Sequence, residues 1–367
     1  MEYKAILIDT QTIDNYRWRF DEGMLAKLQQ FKDTDVHVLI PDVIKNEVTS
    51  HLSKKINAVQ TDLEKAIKSS EEEYLIGKGE SEKLKKDHIN LENSDLLAQE
   101  RVESFIDDCG ATEFECGEYV GLSEVFKAYF DLTPPFKNKE TRKREFPDAS
   151  ILFATEEYAR QKGLYVIAVS RDEGWIDYCA TSERIKIFKD LGEALSQFQP
   201  KTAPYAFALK LVEGIRDKSA ARFMNALEQQ VISKYDYVDV QARADSYLSH
   251  EIDDLSCYVS SVEFDDEINV IEIGEGWATF DMKVNVKFEA QCNISFSHFD
   301  SIDRDSVYIG STEAQAEKEI ETGLIVTLIG DFFEDYDEID VDEILLESVI
   351  KTINFGEVEP DFGPYEE

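Results

Sequence analysis

The sequence predicts an α/β fold over residues 1–198, a parallel sheet flanked by helices with a helical hairpin insertion. An α+β domain with an antiparallel sheet is predicted over 199–367. Three observations carry this. In the first half, short apolar runs alternate with segments of helical periodicity, the pattern of a parallel sheet with crossover helices. After Pro200, strand-like runs follow one another with turn formers between them, which reads as antiparallel pairing. The charge also shifts. Residues 1–200 carry 27 Lys and Arg against 39 Asp and Glu, whereas 201–367 carry 12 against 38.

Element by element, Tyr3–Ile8 reads as a strand ending at Asp9, and Leu25–Phe31 as a helix. Val36–Ile40 is the next strand. Pro41 closes it and opens a helix that carries Val43, Ile44, Glu47 and Val48 at helical spacing. An insertion of about 52–109 follows. Ile56, Val59, Leu63 and Ile67 form one stripe, Gly-Lys-Gly at 77–79 breaks it, and Leu91, Leu97, Val102, Phe105 and Ile106 resume it. Pro147 starts a helix that Gly163 stops. Leu164–Val169 is a strand followed by a loop over 170–175, and Ile185–Phe188 precedes a helix capped by Asp190 and running through Phe198. In the second half, Tyr205–Ile215 and Ala220–Ser233 read as helices. Strands are expected at 257–264, 269–273, 278–290, 292–299 and 323–330, with turns at 265–267, 274–276 and 300–306. Residues 332–348 are too acidic to be core throughout, although Ile339, Val341, Ile344, Leu345 and Val349 can pack. Residues 358–367 read as a tail.

A formal charge of −38 excludes unspecific attraction to nucleic acid or anionic membrane as default behaviour. The hydrophobic content of 43% is enough for a core. Five cysteines without a CxxC pair form neither a disulfide framework nor a zinc spacing, which points to a reducing compartment. The apolar run Ala5–Ile8 is too short for a signal peptide, and no stretch approaches the ~20 apolar residues of a membrane helix. The expectation is a soluble, cytoplasmic protein with no membrane role.

The chemistry lies in four acids on separate segments. Asp9 ends the first strand, Glu47 sits in the helix after the second, Asp148 lies in the first turn of the helix opened by Pro147, and Asp172 follows the strand ending at Val169. In a parallel sheet the strand C-termini open onto the ligand crevice. Carboxylates gathered there repel one another and stay ionised only around cations. With no Cys or His ligand set, hard Mg²⁺ or Mn²⁺ is favoured over zinc. Taken singly, each acid also has an ordinary reading as a cap or turn charge.

In order and strand context, ILIDTQT, PDVIKNEV, FPDA and SRDEGW resemble the PIN-domain nucleases. The similarity is to the larger branch with a helical insertion between the second and third acids. It covers about residues 1–198 and nothing after Pro200. It implies a metal-dependent phosphodiesterase acting on RNA, occasionally on structured DNA, with Asp9, Glu47, Asp148 and Asp172 as catalytic, metal-binding acids. Thr10 and Ser170 match hydroxyls that steady the acidic loops, while Gln11 departs from a common Asn. Asp177 is either an outer metal-shell acid or a plain surface one. Two divalent ions about 3.5–4 Å apart would clamp the scissile phosphate and activate a water. The family association extends to RNA decay and to toxin or antiphage defence. No HExxH, GxSxG or GxxxxGK[ST] occurs, and the five histidines show no ligand spacing.

Lys137, Lys139, Arg142, Lys143 and Arg144 lie within eight residues with only Glu140 against them. Beside an acidic site such a loop would contact substrate phosphates, with Arg171 as a further candidate; the alternatives are a solvated loop or a nuclear-localisation-like stretch. Tyr16, Trp18 and Phe20 are either base-stacking rings or core. The acidic C-terminal domain suits a basic protein partner, self-association or cover for the basic loop, or is simply a soluble acidic domain. The leading expectation is a Mg²⁺- or Mn²⁺-dependent nuclease, more an endoribonuclease than a DNase. The alternatives are a non-catalytic PIN-like interaction module and a Mg²⁺-dependent phosphatase. A phosphatase is disfavoured because Asp9 is followed by Thr10 and Gln11 rather than a DxD pattern.

Overall fold

The computed structural model describes residues 2–88, 93–136, 143–199, 203–236, 238–300, 305–333 and 336–361. The chain divides into two compact units, Met1–Phe198 and Gln199–Glu367.

In the first unit the elements run β1 (Ala5–Ile8), α1 (Thr10–Asn15), α2 (Gly23–Ala26), β2 (His37–Pro41), α3 (Asp42–Glu72), α4 (Lys78–His88), α5 (Ser94–Cys109), β3 (Thr112–Phe114), α6 (Cys116–Tyr119), α7 (Leu122–Asp131), α8 (Phe146–Lys162), β4 (Val166–Val169), α9 (Glu173–Cys179), β5 (Ile185–Phe188) and α10 (Leu191–Ser196). The five strands form one parallel sheet in the order β3-β2-β1-β4-β5. β1 and β4 are buried at all four positions, as expected when helices cover both faces. The chain builds outward from β1 to one side and then crosses to the other. The switch point, where such sheets bind ligands, is therefore the gap between the C-terminal ends of β1 and β4.

The expected α/β class holds, with local differences. Residues 25–31 are not one α-helix: α2 gives way to a 3₁₀ helix over Lys27–Phe31. Leu25, Leu28 and Phe31 are the buried residues there, and their spacing of three matches the 3₁₀ repeat. The helical hairpin insertion is present, and its first arm is the extension of the helix that carries Glu47. α3 runs unbroken from the acidic segment to Glu72, and α4 and α5 pack back along it. The break falls at Glu73–Gly77, where Tyr74 takes φ +59°, and Gly79 lies inside α4. Val59 and Leu63 are exposed rather than packed, whereas Ile67 is buried; Leu91 lies outside the described residues. The loop expected over 170–175 is helical from Glu173, because Asp172 caps α9.

The second unit contains α11 (Ala203–Asp217), α12 (Ala221–Tyr235), β6 (Gln241–Asp245), β7 (Ser249–Gly274), β8 (Trp277–Asp300), β9 (Asp305–Gly330), β10 (Ile339–Leu346) and β11 (Thr352–Glu357). An antiparallel sheet of order β10-β9-β8-β7 stands beside a small parallel β6–β11 pair. The five short strands expected here merge into three long ones. A 26-residue strand spans about 80 Å at roughly 3.3 Å per residue. Residues 265–267 are no turn but a register shift within β7, whereas 274–276 do form the β7–β8 hairpin. Every second residue of β8 from Ala278 to Phe296 is buried. α11 and α12 cover one end of that face, and Val358 and Phe355 pack at the other. The start of the expected tail is therefore core, and β11 is a strand that the sequence pattern does not announce; residues 362–367 lie outside the described residues. All five cysteines are unpaired thiols. Among the described residues no helix is long and apolar enough to cross a membrane.

Candidate active site

Asp9 leaves β1 as the cap of α1, its Oδ1 accepting from the Gln11 amide at 3.3 Å. Across the switch point, Ser170 follows β4 and is fully buried. Its hydroxyl donates to Asp9 Oδ2 at 2.7 Å and accepts from the Asp172 amide at 3.0 Å, so one side chain ties the ends of β1 and β4 together. Asp172 caps α9 with Oδ1, taking the amides of Gly174 at 2.7 Å and Trp175 at 3.1 Å. Gly174 is needed for this turn: a Cβ there would stand 2.9 Å from Asp172 Oδ1 and 3.2 Å from the Pro135 carbonyl oxygen.

Trp175 carries the chain of contacts onward. Its indole is fully buried and donates to Asp148 Oδ1 at 2.7 Å. A hydrogen bond to a charged acceptor is worth about 1.5–3 kcal/mol, enough to hold the carboxylate in place. Glu47 is placed by α3, whose buried Ile44, Val48 and Leu52 form a stripe that leaves Glu47 half-buried on its flank. Thr10, beside Asp9, donates to Glu47 Oε2 at 3.0 Å. Ser170 thus joins Asp9 to the Asp172 amide, Trp175 spans Asp172 and Asp148 through its amide and indole, and Thr10, next to Asp9 in the chain, holds Glu47.

The electrostatics agree with this crowding. Burial raises the Asp9 carboxyl above its ordinary range, opposed by the Ser170 and Gln11 hydrogen bonds and reinforced by repulsion from Asp172 and Glu47. Burial pushes Asp148 up to about 7, with repulsion from Asp9, Asp172 and Glu145 adding to it and the Trp175 bond opposing it. Glu145 is raised by burial and by Asp172. The charges that push these acids upward all belong to carboxylates.

The donor chemistry fits a hard divalent cation, being all oxygen and all anionic. The geometry stops short of a ligand shell. Among the described residues no group of three or more His, Cys, Asp or Glu side chains could hold a metal ion as they stand. The carboxylates are instead turned onto the indole, hydroxyl and amide donors named above.

The remaining candidates are scattered. Asp177 is half-buried further along α9, and the leading repulsions on Asp9 and Asp148 come from other acids. Lys143 and Arg144 are exposed just before α8, and Arg142 lies outside the described residues. Arg171 is held by its own neighbourhood, donating to the Lys189 carbonyl at 3.1 Å and pairing with Asp190 at 3.7 Å. Trp18 and Phe20 are core, with Trp18 donating to Asp14 at 3.0 Å. Sequence reasoning passed over Glu145 and Trp175. The only signals for them were an acid immediately before Phe146 and the tryptophan three residues after Asp172.

Residues 6–175 match the family model described as PIN domain, a nuclease-type fold. The match begins in β1 and ends at Trp175, spanning all four acids, and it leaves the second unit outside. No curated protein and no solved structure matches the chain.

Proposed function

We propose that the first unit is a divalent-metal-dependent nuclease that hydrolyses phosphodiester bonds, with RNA favoured over DNA. The observation that carries this reading is the network of four carboxylates at the β1–β4 switch point, with Asp9 buried, the other three half-buried, and repulsion among them raising Asp9 and Asp148. Asp9, Glu47, Asp148 and Asp172 would hold Mg²⁺ or Mn²⁺, which when bound supplies an activated water and charge neutralisation at phosphate. The chain's own residues set the stage for it. Ser170 spaces Asp9 from Asp172, Trp175 aims Asp148, and Thr10 fixes Glu47. Exposed Lys143 and Arg144 would take substrate phosphates. A raised Asp148 is the expected state of an anionic site before a cation arrives, and a bound cation would lower it again.

A non-catalytic interaction module is the second reading. It is favoured by the absence, among the described residues, of a side-chain group already gathered for a metal.

The deciding experiment incubates purified full-length protein with labelled single- and double-stranded RNA and DNA, with Mg²⁺, with Mn²⁺ and with EDTA. Metal-dependent cleavage lost in Asp172→Asn supports the nuclease. Cleavage that survives both EDTA and that substitution belongs to a contaminant, and no cleavage under any condition favours the module.

A further inference from the structure

Trp18 and Phe20 are core and Tyr16 is half-buried, whereas α7 presents exposed rings. Val125 and Ala128 face inward and pack with buried Phe136 and Ala149, the residue next to Asp148. The opposite side carries Leu122, Phe126 and Phe130 at a spacing of four, with exposures of 76, 46 and 70%. An amphipathic helix normally buries such a stripe. The rings are also ordered. Phe126 and Phe130 lie 6.4 Å apart between centroids and 24° from parallel, and Phe126 meets Phe146 edge-on at 5.7 Å. Phe146 opens α8 two residues before Asp148. The row Phe130–Phe126–Phe146 therefore runs toward the carboxylate network. On the helix itself exposed Lys127 is offset by exposed Glu124 and Asp131, so the cations beside the row are Lys143 and Arg144, which immediately precede Glu145 and Phe146.

We propose that Phe126 and Phe130 form a stacking ledge for unpaired nucleobases, which leads a single-stranded nucleic acid into the carboxylate site while Lys143 and Arg144 take its phosphates. This rests on the nuclease reading and narrows its substrate. Two flat exposed rings beside cations match a strand that offers base faces and phosphates together. A duplex keeps its base faces on one another and has little to give the ledge. Phenylalanine carries no hydrogen-bonding group, so the ledge holds bases without reading their sequence.

The test is equilibrium binding of a short labelled single strand to full-length protein in an Asp148→Asn background, where turnover does not interfere. Phe126→Ala/Phe130→Ala is expected to weaken binding about ten- to a hundredfold, from the usual contribution of base–aromatic stacking. Phe126→Leu/Phe130→Leu keeps apolar area without a π face and is expected to lose most of the same affinity. Binding of an abasic strand and of a blunt duplex is expected to be unchanged in both variants, and melting temperatures should match the parent.

Unchanged single-strand affinity overturns the ledge, as does an equal loss with the abasic strand. Full retention by the leucine variant also overturns it and assigns the face to an apolar protein partner. If the parent chain cleaves RNA or DNA and the ledge variants bind as it does, this inference alone fails. If wild-type protein neither binds nor cuts nucleic acid with either metal, the nuclease reading fails and the ledge with it.

Discussion

The two sheets of this chain use charge in opposite ways. In the first unit β1 and β4 are four residues long, buried on both faces, and followed within three residues by a carboxylate. Charge is excluded from these two central strands and concentrated where they end. In the second unit β7, β8 and β9 run for 24 to 26 residues, and most of their charge lies along one face, Lys318 opposite buried Phe288 being an exception. Glu289 stands opposite Glu317, and Lys287 opposite Glu319. A parallel sheet covered by helices leaves only its strand ends for polar chemistry, whereas an antiparallel sheet covered on one face has room for it along the other. The first arrangement makes a site. The second makes a surface on which each charge counts for little.

This contrast can be broken by substitution, and the largest effect belongs to the strand ends. Asp9→Asn keeps the cap on α1 but removes an anionic donor, so cleavage of labelled RNA with Mn²⁺ is expected to fall at least about a hundredfold. The melting temperature should hold or rise. Wild-type turnover by the purified variant would remove Asp9 from the site.

The second unit should respond to volume instead. Phe280 is 1% exposed and packs against Phe207 and Phe332, so Phe280→Ala should cost about 3–5 kcal/mol in denaturant unfolding. A loss below about 1 kcal/mol would mean that the face between the helices and the sheet is not tightly packed.

A third test uses pH. Asp148 has its folded-state pKa raised to about 7 from 3.8, so the folded state binds its proton more tightly than the unfolded chain does. Below the unfolded value both states are protonated and nothing is lost. As pH rises from about 4 to about 7 the unfolded chain ionises first, and stability falls by an amount on the order of a few kcal/mol. In EDTA, Asp148→Asn should flatten this decline, so that the variant gains on wild type at pH 8 and not at pH 4. Parallel pH–stability curves would contradict the crowding of acids at the switch point.

The smallest effect belongs to the long strands. Glu319→Gln should change unfolding free energy by less than about 0.5 kcal/mol, as for an exposed charge with solvent around it. A larger loss would make the acidic face part of the fold's stability.

How far each region is legible in the sequence follows from the same contrast. Short buried strands announce themselves as apolar runs, and their ends are marked by the first acid, so the segments bearing Asp9 and Asp172 can be located from the sequence. Asp190 is equally legible, and its Oδ1 accepts from the Gly192 amide at 2.9 Å. The long strands are not, because charged triplets such as 265–267 look like turns when they are register shifts inside one strand. β11 is hidden for another reason: Ile353 is its one fully buried residue, too little for a pattern. Trp175 and Glu145 matter through contacts with residues far along the chain, which periodicity cannot reveal.

The order of the second sheet leaves β7 as an outer strand 26 residues long. A strand border of that length is a template on which another chain could add itself, residue by residue. Four register shifts between β7 and β8 interrupt that template. Asp253 and Asp254 sit at the first, with Asp254 at φ +54°, and Asp265, Asp266 and Glu267 sit at the third. An incoming strand would find the ladder broken at intervals, with clustered acidic charge at two of the breaks. The irregularities that obscure β7 in the sequence therefore guard its border, and disfavour fibre-like growth from a sheet otherwise shaped for it.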